Sequence, residues 1–379
     1  MLQAIKEFHV GRPQVVAGLM LLAFLAQASW VAASRKLSSL EFQYVESGLP
    51  LKPGQEYRVT SPFTAVLAAL PFRVVRILAG QDVSKAAIVP QPWMARLPFL
   101  IFGVWLGAAL WWVARRLFDY HGGFVALALY CTSPAMAMIA ANVGPEVLLA
   151  WSSFGLMYTA IGVAHTLYAP WQKWLPRSVL LGLSIGFALA TALWCFTLVL
   201  LAFAFMLYLA PGRWKTALLV MAAATLIGLG VCGSFIILAH GYGAAASALL
   251  RPGLSVKLLQ TLNFVFADGY LAANSYLFVL FFIVALTVYG SWDRARYFGN
   301  SAPLLMAFAT VFLFSSVPAI YLWDATLGLS YVFVFIGGTY ADLLETSYSK
   351  GIARIMIAGF LLRAVLGVFA LGRWIRIPA

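Results

Sequence analysis

The chain predicts an all-α, polytopic membrane bundle of about eleven transmembrane helices, with an amphipathic helix lying in the interface of its first outer loop. Three observations carry this expectation. Hydrophobic residues make up 63% of the 379 residues and charged residues only 10%, with a mean hydropathy of +0.92, a composition far from that of a soluble domain. Apolar runs of spanning length recur from the first twenty residues to the last. Between those runs the Lys and Arg residues fall in pairs.

The pairing of the basic residues also decides what the net charge of +13 means. Scattered cations without a contiguous basic face do not make a nucleic-acid surface; they fit membrane topology and anionic headgroups. Cys131, Cys195 and Cys232 all sit inside apolar runs without a C-x-x-C spacing and read as small core residues. His9, His121, His165 and His240 are far apart and form no metal-ligand pattern. No P-loop or dinucleotide-binding glycine pattern is present, which argues against an ATP-driven pump on this chain.

The first apolar run, Gln14 to Ala33, follows Lys6 and Arg12. At about 20 residues it can cross the ~30 Å hydrocarbon core, and it reads as a retained helix rather than a cleaved signal. Further spanning runs fall at Trp93–Val113, Gly122–Ala141, Pro145–Thr166, Ser178–Leu193, Cys195–Leu209, Ala217–Ala239, Ala272–Tyr289, Ala302–Ala319, Leu322–Tyr340 and Ile352–Leu371. The stretch from Ser178 to Leu209 is too long for one span and only just long enough for two.

Charge tests that division. With the N-terminus inside, the inner connections hold Lys6 and Arg12, Arg115 and Arg116, Lys173 and Arg177, Arg213 and Lys215, Arg294 and Arg296, and Lys350 and Arg354. The short outer connections Asn142–Gly144 and Ile320–Tyr321 hold none. This is the positive-inside pattern, and it places the long segment Ala33–Pro92 on a periplasm-like outer face. The expected location is the inner membrane of a bacterium. The chain reads as one transmembrane domain over residues 1–379, with outer loops at 33–92 and 240–271.

Within the first loop, Phe63, Val66, Leu67, Leu70, Val74 and Leu78 recur at helical spacing, with Arg73 and Arg76 on another face. This predicts an interfacial helix that Ser61-Pro62 starts and Gly80 stops, with a kink or break at Pro71. Trp residues at helix ends, among them Trp93, Trp112, Trp171, Trp214 and Trp374, fit an interfacial belt. Arg363 is the one basic residue set well inside an apolar run.

Charge inside a bilayer is costly, so water-facing chemistry belongs where the outer segments fold back on the helices. The candidate catalytic residues there are Glu41 and Glu146. Glu146 follows Gly144-Pro145 at the start of a helix, where the helix dipole also favours a carboxylate for purely structural reasons. In the functional reading the two converge at the outer mouth, one as general base and the other orienting the acceptor. The candidate substrate-binding residues are Arg58, Arg96 and Lys257, with Tyr57. An interfacial Arg commonly snorkels to headgroups, and the alternative is a clamp on the phosphate of a lipid-linked substrate.

The order of elements is similar to a known family. Leu40-Glu41-Phe42-Gln43-Tyr44-Val45-Glu46-Ser47-Gly48-Leu49-Pro50, then Ser61-Pro62-Phe63, Ala95-Arg96-Leu97-Pro98, Ala114-Arg115-Arg116-Leu117-Phe118 and Leu129-Tyr130-Cys131-Thr132-Ser133-Pro134 resemble the GT-C membrane glycosyltransferases, in the protein O-mannosyltransferase and aminoarabinose-transferase-like branch. The resemblance covers roughly residues 10 to 200. It implies transfer of a sugar from a polyprenyl-phosphate carrier to an acceptor on the outer face, with Glu41, in the place of the family's first-loop acid, as the candidate catalytic base and Glu146 as its partner. It departs from the family where Leu40 and Phe42 flank Glu41, so the acidic pair is absent, and where Thr191-Ala192-Leu193-Trp194 stands in place of a Lys-bearing segment. The scheme requires no cofactor and no metal, although some relatives use a divalent ion. The implied partners are a polyprenyl-phosphate-linked sugar and membrane lipids. Two other readings stand beside this one. The first is a non-catalytic subunit on the same scaffold, serving assembly of a larger membrane complex with protein partners. The second is a transporter of a lipid-linked intermediate, for which no pair of broken helices is evident.

Overall fold

A computed structural model describes residues 12–49, 61–79, 91–239, 272–316 and 327–376. Every regular element among them is helical. In chain order these are α1 (Arg12–Ser34), α2 (Ser39–Gly48), α3 (Pro62–Ala79), α4 (Pro92–Cys131), α5 (Pro134–Ala141), α6 (Glu146–Thr166), α7 (Trp171–Thr191), α8 (Phe196–Leu209), α9 (Trp214–Leu238), α10 (Ala272–Ser291), α11 (Phe298–Ser316), α12 (Leu327–Leu344) and α13 (Ser349–Ile375). Seven of the described helices are long and apolar enough to cross a bilayer, and Leu193–Leu209 and Tyr276–Ser291 are shorter apolar helices. Each apolar run expected from sequence is largely helical where described.

The boundaries differ from expectation in three places. The runs Trp93–Val113 and Gly122–Ala141 are joined in α4 through a sharp reversal, where Asp119 adopts φ 63° and Phe118 leaves helical geometry. Asp is among the few side chains that tolerate a positive φ. The two limbs fold back on one another, for the Tyr130 hydroxyl donates to the Gly103 carbonyl at 2.6 Å. A straight helix would hold those residues about 40 Å apart. The second limb is itself interrupted at Thr132, after which Ser133 caps α5 by accepting from the Met136 N–H and Pro134 takes the first helical position. The stretch from Ser178 to Leu209 does divide in two, at extended Ala192, but α7 begins earlier than predicted, at Trp171.

α12 is the axis of the bundle. Every residue from Leu327 to Asp342 is buried, and the helix packs on α4, α6, α10, α11 and α13. Its approach to α4 is close enough that a Cβ at Gly337 would lie 2.7 Å from the Gly122 carbonyl oxygen. α7 and α9 form a second close pair. Gly182 and Gly186 face Ile227 and Val231, while Gly228 faces Ile185, and a Cβ added at any of the three would fall within 3 Å of those side chains. Small residues one turn apart let backbones approach in a membrane, where no hydrophobic force drives helices together.

α3 runs from Pro62 to Ala79 as one continuous helix through Pro71, so the break expected there does not occur. Its amphipathic pattern is also divided along its length. The N-terminal half is buried in the bundle, where Phe63 meets Phe102, Phe187 and Phe235 with ring centroids 4.7 to 5.7 Å apart. Exposed apolar side chains begin at Leu70 and are led by Ile77 and Leu78 near the C-terminal end. Burial of Phe63 and Phe72 holds the helix on both sides of Pro71 and offsets the single backbone hydrogen bond that the proline removes. At helix ends, Trp93, Trp112, Trp171 and Trp214 are all half-exposed or more, as an interfacial belt requires.

Candidate functional site at one end of the bundle

The site is assembled from α1, α2, α4 and the 142–145 connection. α2 starts with a capping box. The Ser38 hydroxyl accepts from the Glu41 N–H at 3.3 Å, and the Glu41 carboxylate accepts from the Ser38 N–H at 2.8 Å. The same carboxylate receives Arg96 from the first turns of α4, with Nε 2.9 Å from Oε1 and Nη2 2.8 Å from Oε2. Its fourth donor is the Val143 N–H, 3.0 Å from Oε1.

Arg96 is equally engaged on its other side. Nη1 donates to the carbonyls of Ala32 and Arg35 at 2.7 and 2.6 Å, and Nη2 to that of Lys36 at 2.9 Å. These carbonyls lie at the C-terminal end of α1, where a helix leaves acceptors without intrahelical donors and its dipole favours a cation. The pair is thoroughly enclosed, with Arg96 1% and Glu41 6% exposed. Burial pushes the Glu41 carboxyl up, but the Arg96 guanidinium and the Ser38 and Val143 N–H groups outweigh it and hold it below the usual carboxylate range. Arg35 stands beside this pair, its guanidinium 3.9 Å from the ring of Trp374 on α13. Burial and the Arg96 charge together lower its pKa.

Glu146 begins α6, three residues beyond Val143. It is half-buried and within electrostatic reach of Glu41. Its carboxylate folds back over Gly144, where any side chain would collide with it, and accepts from its own backbone N–H. Among the described residues, no other residue's donor is bonded to it.

Three of the residues expected at the site, Glu41, Arg96 and Glu146, thus meet at one end of the bundle. Tyr57, Arg58 and Lys257 lie outside the described residues. The expected roles need adjusting to this geometry. All five N–H donors of Arg96 are taken, which leaves none for a phosphate oxygen, and all four acceptor positions of Glu41 are filled, which leaves no lone pair for a proton. Arg73, expected on the same face, donates to the carbonyls of Gly48 and Leu238, fastening α3 to the ends of α2 and α9. Arg363 does not reach a headgroup; it is fully buried, 5.0 Å over the Phe278 ring.

Sequence reasoning missed Ser38 and Val143. The Ser38-Ser39-Leu40-Glu41 string is a legible capping-box signal, whereas nothing local marks a backbone N–H 102 residues downstream. It also missed a polar cluster formed by α11, α12 and the short helix before α11, where the Asn300 amide donates to the Asp342 carboxylate at 3.0 Å and Arg294 pairs with Glu345.

No protein-family model and no curated protein matches the chain. Solved structures do. ArnT from Cupriavidus metallidurans in the apo state superposes with a TM-score of 0.65 at 14% identity, over 94% of this chain and 76% of that one. The same protein bound to undecaprenyl phosphate gives a TM-score of 0.66 at 13% identity, over 93% and 75%. The Archaeoglobus fulgidus oligosaccharyltransferase in the apo form gives 0.57 at 14% identity, over 93% of this chain and 56% of that one. ArnT is an aminoarabinose transferase, and both proteins are GT-C glycosyltransferases. Across nearly its whole length, the chain shares its fold with these two glycosyltransferases.

Proposed function

We propose that this protein transfers a sugar from a polyprenyl-phosphate carrier to an acceptor at the outer face of a bacterial inner membrane, with its N-terminus inside. The observation that carries the reading is the convergence of Glu41, Arg96 and Glu146, which come from three separate parts of the chain, at one end of a bundle with the GT-C fold. One of the similar structures contains undecaprenyl phosphate, a carrier of the proposed class.

In this reading Glu146 is the base, because its carboxylate accepts from no other described residue, whereas the four acceptor positions of Glu41 are filled. It takes a proton from the acceptor hydroxyl or amine as the acceptor atom bonds to the anomeric carbon. The bond from that carbon to the phosphate oxygen breaks, and the electron pair leaves on the polyprenyl phosphate. Such a leaving group needs little help beyond cations near its developing charge. Arg58 and Lys257, with Tyr57, are the outer-segment residues assigned to that contact, and the scheme draws on no cofactor.

Release of polyprenyl phosphate from a panel of polyprenyl-phosphate sugars, assayed with purified protein in lipid discs, tests the proposal. Turnover of at least one donor, reduced about 10²- to 10⁴-fold in Glu146→Gln, supports it. Tight binding of carriers with no turnover of any donor, or purification only as part of a larger stable complex, would instead favour the non-catalytic subunit.

A further inference from the structure

Glu41 and Arg96 form a saturated pair. Five guanidinium N–H groups face five acceptor atoms (two carboxylate oxygens and three carbonyls), and the carboxylate's four acceptor positions face four N–H donors. A general base must offer a lone pair to the proton it removes, and a phosphate clamp must offer an N–H. Neither residue has one to offer. What the pair does have is reach. Through Ala32, Arg35 and Lys36 it holds the C-terminal end of α1, and through Ser38 it holds the start of α2. Through Val143 it holds the connection that leads, by Gly144 and Pro145, into Glu146.

The Val143 contact is the informative one. The 142–145 connection joins two helices, and its backbone would be free to shift by the ångström or so that misplaces a reacting group. A charge-assisted hydrogen bond from the Val143 N–H to Glu41 ties it to the rest of the bundle. Gly144 then leaves room for the Glu146 carboxylate to fold back over the same connection.

We propose that Glu41 and Arg96 are positioning residues, a closed pair that pins the 142–145 connection to the end of α1 and so fixes where the Glu146 carboxylate points. This rests on the reading of Glu146 as the reacting carboxylate, and it assigns Glu41 a different task from that of the family's first-loop acid. A Gln at position 41 offers one acceptor oxygen in place of two and no charge: its NH₂ group opposes the Val143 and Arg96 Nε N–H groups if it takes the place of Oε1, or those of Ser38 and Arg96 Nη2 if it takes that of Oε2, and in the second case the Val143 N–H keeps only a neutral acceptor. Position 41 therefore acts on Glu146 through the backbone of residue 143.

The test separates position from chemistry. Hydrogen exchange of the full chain in lipid discs reads the Val143 amide directly and requires no substrate. In Glu41→Gln and in Arg96→Gln its exchange should accelerate about tenfold or more, the effect of losing one charge-assisted hydrogen bond, while the amides of α12 stay protected. The double variant should exchange no faster than the faster single one, because either change opens the same pair. Glu41→Asp, which keeps the charge but shortens the reach, guards against misfolding: Arg96 stays paired while Val143 is released. Where turnover is measurable, Glu41→Gln should lower its amplitude and keep the acid limb of the pH profile, and Glu41→Asp, which also releases Val143, should lower it as well. Unchanged Val143 exchange in Glu41→Gln overturns the proposal. So does loss of the acid limb in that variant, which would make Glu41 the base. If no donor turns over even in the unaltered protein, the transferase reading fails, and the exchange measurement still decides whether the pair pins the connection.

Discussion

The Arg96 guanidinium and the Glu41 carboxylate meet side by side through two hydrogen bonds of 2.8 and 2.9 Å, deep enough that neither residue is more than 6% exposed. Each also completes the other's surroundings, so that five donors and four acceptor positions are all occupied. In a chain with 12 acidic and 25 basic residues, two of the few buried charges are used on one another at the corner where α1, α2, α4 and α6 come together.

Removing one partner of such a pair leaves the other charge buried and uncompensated. Arg96→Ala is expected to cost about 3–5 kcal/mol, seen as a lowered midpoint in denaturant or thermal melts in detergent. Arg96→Lys recovers part of this loss, because an ammonium offers three donors and cannot span the Glu41 carboxylate and three carbonyls together.

Acid should loosen the same corner. The Glu41 carboxyl is held below its usual value, so the stability it confers is fully present above the ordinary carboxylate pKa of about 4.3 and is lost as pH falls through the depressed folded-state value. The groups facing it are Arg96, Arg35 and Glu146. A melt series from pH 7 downward should stay level as far as Glu41 is concerned until below about pH 4.3. The Glu41→Gln protein, less stable at neutral pH, should lack that acid-side decline.

Gly144 offers a change that separates activity from stability. A methyl group there meets the Glu146 carboxylate, the far end of a flexible side chain that can swing aside. Gly144→Ala should therefore shift the melting midpoint little, yet reduce turnover about tenfold or more by moving the carboxylate from its place. Equal turnover in the two proteins would show that the position of that carboxylate is immaterial.

The α7–α9 contact tests the packing. At Gly186 a new Cβ would lie 2.5 Å from the Val231 Cβ, with no flexible group to yield. Gly186→Val should destabilise by about 1–3 kcal/mol or more, and Gly230→Ala, where a Cβ meets nothing within 4 Å, should be nearly neutral.

Much of the architecture was legible because a bilayer reads a chain locally. Twenty consecutive apolar residues form a helix in lipid whatever their partners, since every backbone group must be satisfied within the segment. The division near Ala192 and the start of α3 at Pro62 were accordingly visible in length and in the Pro signal alone. The reversal at Asp119 was not, since it depends on one residue holding a positive φ while Tyr130 bonds Gly103. Nor was the split character of α3, whose heptad-like pattern is the same whether its apolar face meets lipid or Phe102, Phe187 and Phe235.

The sequence by itself determined that this protein is a helical membrane bundle, and it named Glu41, Glu146 and Arg96, together with Tyr57, Arg58 and Lys257, as candidates on the outer segments and helix starts, because charge is costly beside lipid. Only the tertiary structure decided what two of those charges do. Hydrogen bonding is short-ranged and directional, so the task of Glu41 depends on which donors lie within 3 Å of it, and those donors come from residues 38, 96 and 143. Their meeting is set by the packing of α1, α4 and α6, which no local stretch of the chain encodes.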